Sequence, residues 1–182
     1  ADEIFAGYPW YHKKEILFEN VFPWARNTNI RQRILKNGFL SDGEEYLQSA
    51  YKNTLKNISY LESDDKINKR MREMFVLNLS WFMQTLLARK DNMSMASSLE
   101  VRVPFCDYRL VEYAYNMPWN IKALDGREKG ILRKAFENDL PKEIAWRKKS
   151  PYPKTHNPAY FARVKELLAI ALTDKSTPLM DW

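Results

Sequence analysis

Residues Arg89 to Asp107 read R-K-D-N-M-S-M-A-S-S-L-E-V-R-V-P-F-C-D. The stretch lies between a strongly apolar helical pattern and a second helix start. Ser94, Ser97 and Ser98 permit close backbone approach, and Pro104 turns Val103 away from helical geometry. Arg102 stands between Val101 and Val103 in a run apolar enough to be buried. A buried guanidinium needs a carboxylate or phosphate partner, because an unpaired buried charge is very costly. Two readings follow. Arg102 is a structural residue paired with Asp91, Glu100 or Asp107, or it belongs to the wall of a site for an anionic ligand.

The flanking pattern makes the chain mainly α. Upstream, Met71, Met74, Phe75, Leu79, Phe82 and Leu86 fall on one helical face over residues 70–89, and Val76, Leu77, Trp81, Met83 and Leu87 widen it. A helix apolar on most sides is a buried one. Residues 62–69 are polar and read as a link. Ser41 and Glu44 form a capping-box pattern opening a helix over 43–61. A short helix fits 29–36, with Gly38 as its stop. Downstream, Asp107 is an N-cap for a helix over 108–116, which Pro118 ends. The tail, 173–182, reads as a polar turn ending in apolar residues.

Two further stretches carry candidate chemistry. In Asp125–Phe136, D-G-R-E-K-G-I-L-R-K-A-F, Asp125 and Glu128 read as a capping box. That places Lys129 in the first helical turn, where a cation opposes the helix dipole unless an anion is bound there. The alternative is an exposed, snorkelling lysine. At the start, Asp2 and Glu3 read either as acids favoured at a helix N-terminus or as ligands for Mg²⁺, which prefers carboxylate oxygen. Residues 147–158 hold three prolines and four cations, so they form a non-helical loop, either a lid over an anionic site or a basic surface. His156 within it has no assigned role. Pro158 opens a helix over 159–172.

Composition excludes several classes. The 182 residues suit one domain or a large piece of one. Aromatic residues at 14% with only 5 Gly indicate a packed helical chain rather than a disordered one. The net charge of +6 is compatible with anionic metabolites, but no nucleic-acid-binding motif accompanies the basic residues. Cys106 is the only cysteine, which rules out an internal disulfide, and its apolar run makes it a core residue rather than a nucleophile. His12 and His156 with one cysteine give no zinc spacing. No apolar run spans a bilayer and no signal peptide is visible, so the expected location is the cytoplasm.

The 89–107 stretch resembles the D-R-M-S-M-A-x-G-L-E-x-R-V-P-F-L-D motif of glutamine-hydrolysing asparagine synthetases. The opening A-D-E-I-F-A-G-Y resembles the end of that family's G-E-G-A-D-E-x-F-x-G-Y motif, and E-K-G-I-L-R its K-x-x-L-R segment. The three blocks occur in family order, and the likeness covers nearly the whole of 1–182. Asn92 stands where Arg is common in the family, Ser98 where Gly is, and Cys106 where Leu is. The resemblance implies the helical C-terminal part of an α/β adenine-nucleotide alpha hydrolase-like (PP-loop ATP pyrophosphatase) domain, without the PP-loop and without the glutaminase domain. It implies ATP and Mg²⁺ as cofactors, with aspartate and glutamine-derived ammonia as the other reactants. Aspartate becomes β-aspartyl-AMP as pyrophosphate leaves, and ammonia then displaces AMP.

By resemblance, Asp2 is a Mg²⁺-pyrophosphate ligand and Lys129 contacts the phosphates as charge develops on the leaving group. Arg102 and Asp107 organise the site wall. The partners it implies are the remainder of the synthetase and its glutaminase domain, with no nucleic acid and no membrane; a homodimer is an open option. Because the sequence starts after the family's G-E-G, the 182 residues are expected to be inactive alone. Two other readings remain open: a relative that adenylates another carboxylate, as β-lactam-forming synthetases do, and a helical interaction module without chemistry.

Overall fold

The computed structural model describes residues 1–33, 35, 38, 42–150 and 157–173. Its helices, in chain order, are α1 (Lys14–Leu17), α2 (Thr28–Gln32), α3 (Gly43–Lys56), α4 (Lys66–Leu77), α5 (Gln84–Met95), α6 (Tyr108–Asn116), α7 (Trp119–Lys122), α8 (Gly130–Ala135), α9 (Lys142–Ala145) and α10 (Pro158–Thr173). A π-helical segment, Asn78–Met83, joins α4 to α5. The mainly helical expectation is met. The chain divides into two units, one of residues 1–26 and 47–147, the other of residues 27–46 and 148–182.

Helix α4 is the axis of the first unit. It has no Gly or Pro inside, and Asp65 caps it by accepting the Asn68 N–H at 2.7 Å. It therefore starts four residues before the expected 70. Met71, Met74 and Leu77 join one buried cluster with Ala6, Tyr11, Leu17, Phe22 and Tyr51. Phe75 joins a second with Ile4, Phe5 and Ala114. Residues 4–6 thus enter both clusters, which is what anchors the start of the chain. Trp10, Trp24 and Phe82 pack around the first cluster with ring centroids 5.0–5.9 Å apart.

The expected buried helix over 70–89 does not stay buried. Asn78, fully enclosed, donates its side-chain amide to the Met74 carbonyl at 2.7 Å. The ladder is π-helical from there, a local widening often seen near functional sites. Beyond it α5 buries only Ser94. Helix α3 also ends at Lys56 rather than 61, because tertiary contacts claim the following residues. Ser59 accepts from the Tyr115 hydroxyl at 2.5 Å, and Tyr60 donates to Glu73 at 3.0 Å.

In the second unit, α2 stops at Gln32, six residues before Gly38, which adopts φ +85°. Ser41, the first residue of the expected capping box, lies outside the described residues; Glu44 accepts from the Thr28 hydroxyl at 2.8 Å. Asn157 caps α10 by accepting the Ala159 N–H at 2.9 Å. The apolar side chains of α10 are exposed along its whole length. Most of the proline-rich loop, including His156, and the tail after Thr173 lie outside the described residues.

Candidate functional site

Residues 1–7 form tight turns, not the helix start expected for Asp2 and Glu3. The Phe5 N–H donates to the Ala1 carbonyl at 3.0 Å and the Gly7 N–H to the Asp2 carbonyl at 2.9 Å. Ile4, Phe5 and Ala6 point inward and are 1–3% exposed. Burial of these three side chains leaves Asp2 at the rim. Glu3 turns the other way: one carboxylate oxygen accepts the Tyr8 hydroxyl at 2.7 Å, and its carbonyl accepts the Tyr11 hydroxyl at 3.0 Å. Burial first, then the Glu3 carboxylate, pushes the Tyr11 phenol well above its ordinary value, so it stays a neutral donor.

The second half of the site is the turn before α8. Asp125 and Lys129 both adopt left-handed backbone angles, φ 57°. The expected Asp125–Glu128 capping box does not form. Helix α8 starts at Gly130, with Lys129 as its N-cap residue rather than in its first turn. Glu128 instead accepts from Arg133 at 2.8 Å, and that arginine also donates to the carbonyls of Ala145 and Arg147 at 2.7 and 2.9 Å. This web ties α8 to the chain after α9.

The two halves meet. The Lys129 N–H donates to the Phe5 carbonyl at 3.1 Å, and Lys129 Nζ lies 3.0 Å from Asp2 Oδ1. Both side chains keep about a quarter of their surface open, 25% and 29%, so the pair can be reached by a ligand. The third motif touches the same segment through apolar contact, with Phe105 edge-on to Phe5 at 6.3 Å.

Arg102 requires a correction. It is not buried. Its side chain is 83% exposed and pairs with Glu100 at 2.9 Å, one of the three partners expected for a structural arginine. No contact joins it to Asp2 or Lys129. Among the described residues, the buried arginines lie on α4. Arg70 bonds the Tyr51 hydroxyl at 2.8 Å, Glu73 at 2.6 Å, the Glu19 carbonyl at 2.7 Å and the Leu17 carbonyl. Arg72 grips Asp64 through two nitrogens and the Tyr115 carbonyl through a third, over the Tyr115 ring.

Asp107 takes the expected cap position, accepting the Arg109 N–H at 2.9 Å. The Arg109 guanidinium and that N–H hold its carboxyl down at about 2. Cys106 is 3.7 Å from the Met83 sulfur, and burial, then the Glu3 carboxylate, push its thiol up. Cys106 is part-buried and lies outside both core clusters, so it is not the core residue expected, and its raised thiol lacks the character of an activated nucleophile.

Three residues near the site went unassigned in the sequence. His12 Nε2 lies 2.9 Å from the Ala6 carbonyl oxygen, Tyr11 donates to the Glu3 carbonyl, and Gly7 packs against Asp2. A single glycine amid Phe5, Tyr8, Trp10 and Tyr11 was the available signal, since an isolated glycine often marks close approach of backbone.

Known proteins carry similar sequences. Residues 1–181 match the family described as Asparagine synthase. The chain belongs to the asparagine synthase family. It is 49% identical over 181 residues, 98% of this chain, to the asparagine synthetase [glutamine-hydrolyzing] 3 of Bacillus subtilis (strain 168), and spans 29% of that protein. It is 30% identical over 84% of its length to asparagine synthetase 1 of the same organism, again spanning 29% of the relative. The human asparagine synthetase [glutamine-hydrolyzing] is 31% identical over 63% of this chain, which spans 19% of it. The chain therefore spans less than a third of the length of each of these relatives. Among the described residues no group of three His, Cys, Asp or Glu could hold a metal. No described helix is long and apolar enough to cross a membrane.

Proposed function

We propose that this chain is the part of a glutamine-hydrolysing asparagine synthetase that receives the pyrophosphate end of ATP. The observation that carries the reading is the Lys129–Asp2 pair, 3.0 Å apart, reachable from solvent and built from two separate family motifs. In this reading the chain completes a PP-loop α/β domain supplied by the rest of the polypeptide, and the 182 residues alone are inactive.

The chemistry is an adenylation followed by amidation. The β-carboxylate of aspartate attacks the α-phosphate of ATP, pyrophosphate leaves, and ammonia drawn from glutamine displaces AMP from β-aspartyl-AMP. Negative charge grows on the leaving pyrophosphate. Lys129 is a fixed cation at that point, and its N–H bond to Phe5 holds its backbone in place before reaction. A preorganised charge of this kind acts on the transition state as well as on binding.

Asp2 is the residue that would hold Mg²⁺. A magnesium ion on nucleotide phosphates takes one or two protein carboxylates and completes its shell with phosphate oxygens and water. One rim carboxylate facing a lysine fits that donor set and does not fit a cage built by protein alone. Bound there, the ion would neutralise phosphate charge. Until ligands arrive, Asp2 and Lys129 neutralise each other.

The test is pyrophosphate release by the full-length protein given ATP, Mg²⁺, aspartate and ammonia. Lys129→Ala is expected to lower kcat by about 10²–10³-fold, the scale of losing one preorganised stabilising group, with the melting curve retained. No release with aspartate, from a folded protein, would point to another carboxylate substrate or to a scaffold without chemistry. Release unchanged in the variant would remove Lys129 from the chemistry.

A further inference from the structure

We infer that Gly7 is a positioning residue for the Asp2 carboxylate, an inference that rests on the reading of Asp2 as the metal-facing group. A Cβ added at Gly7 would lie 1.8 Å from Asp2 Oδ1, 2.7 Å from its Cγ and 2.8 Å from its Cα. Real Cβ atoms do not approach other atoms so closely, so one side must move. The requirement is one of space. The positive-φ glycines among the described residues are Gly38 and Gly126, and Gly7 is not one of them. Its φ is not positive, and the carboxylate oxygen, at 1.8 Å, is what alanine would strike hardest, with the Asp2 Cα crowded less severely at 2.8 Å.

The turn around Gly7 has little room to yield. Ile4, Phe5 and Ala6 are buried in the two core clusters. The Ala6 carbonyl meets His12 at 2.9 Å, and the Glu3 carbonyl accepts Tyr11 at 3.0 Å. Ala6 itself is held at φ 56°, a left-handed conformation that costs a residue with a Cβ some strain and persists only where the surroundings impose it. The carboxylate end of Asp2, part exposed, is the mobile party. A methyl group at position 7 turns it out of the place that brings Oδ1 to 3.0 Å from Lys129 Nζ. Gly130 makes the contrast. A Cβ there would strike the backbone N, O and Cα of Leu124 at 2.4–2.8 Å, so all three of its nearest atoms are backbone, whereas at Gly7 the two nearest belong to the carboxylate.

The experiment is a double-mutant cycle in the full-length protein with Gly7→Ala, Asp2→Ala and both together. Two readouts are taken: binding of Mn²⁺ with pyrophosphate by calorimetry, and the thermal melt. Gly7→Ala is expected to weaken Mn²⁺–pyrophosphate binding by about 10–100-fold, the usual effect of disturbing a residue that orients a metal ligand. In the Asp2→Ala background the same change should alter binding by less than about 2-fold, because contacting residues are coupled and the contact is gone. Binding unchanged by Gly7→Ala, or losses that add in full, would overturn the assignment. If Gly7→Ala fails to fold, the melt decides: folding regained in the double variant supports a clash with the carboxylate, and folding lost in both places the clash in the backbone and overturns it. Should Asp2→Ala leave binding intact, the metal-facing reading of Asp2 fails, while the melt cycle still tests the contact between residues 2 and 7.

Discussion

Helix α4 and the stretch from Arg89 to Asp107 hold arginines in similar sequence company. Arg70 and Arg72 neighbour Met71, Met74 and Phe75, and Arg102 neighbours Val101 and Val103. Yet Arg70 and Arg72 are 6% and 5% exposed, and Arg102 is open to solvent. The difference lies in the acceptors. Carbonyls from Leu17, Glu19 and Tyr115 converge on the α4 arginines from other parts of the chain, and carboxylates from Asp64, just ahead of the helix, and Glu73, on it, complete the set. Among the described residues, Arg102 pairs with Glu100, two positions away. A guanidinium is buried where enough acceptors from distant segments arrive to replace its water, whatever the polarity of its immediate neighbours.

The sharpest way to break this contrast is Arg72→Met. It leaves the Asp64 carboxylate enclosed without its cation, a change expected to destabilise the protein by about 3–5 kcal/mol. Chemical denaturation measures it, and a loss under about 1 kcal/mol, the range of an exposed pair, would place Arg72 with Arg102. The Arg72 hydrogen bond and the Leu61 N–H outweigh burial and hold the Asp64 carboxyl below its ordinary value. That part of the stability is present at neutral pH and disappears as the pH falls through the folded-state value.

A smaller effect comes from Lys122, the other cation enclosed in this region. It is 7% exposed and lies over the Phe75 ring at 4.3 Å. Burial first, then the Arg72 charge, pull its amine down to about 7. An unfolded lysine titrates near 10.4. Between those values the unfolded chain binds more protons, so stability from this group rises with pH from about 7 toward 10. Lys122→Met should flatten the rise in melting temperature over that window. A slope that persists in the variant would assign it to other groups.

The smallest effect expected is at Arg102. Arg102→Ala should change stability by less than about 0.5 kcal/mol, as for most exposed positions. A loss of several kcal/mol would mean that the residue is enclosed after all and would erase the contrast with α4.

Local signals were legible where one short stretch supplies both partners. The Asp107 cap of α6 depends on an N–H two residues away, and α10 begins at the proline expected of it. The π-helical step at Asn78 was not legible, because the side chain that joins the ladder is held there by full enclosure. Nor was the left-handed Lys129. The sequence D-G-R-E-K-G satisfies the pattern of a capping box, but Glu128 goes to Arg133 and the Lys129 N–H goes to Phe5, so α8 starts later. At the site, Asp2 and Lys129 each stood out by residue type and motif, whereas their meeting required the residues 4–6 to be drawn into two core clusters.

The helical class, the family and the two charged candidates were therefore determined by the sequence itself, since periodicity, caps and motif order are properties of short segments read along one chain. Which arginines are buried, where the apolar helix turns toward solvent, and that Asp2 lies against Lys129 beside a glycine with no room for a methyl group were decided by the tertiary structure. The reason is physical: burial and charge pairing depend on which distant groups converge on a side chain, and that convergence is set by packing of the whole unit and not by any window of neighbours.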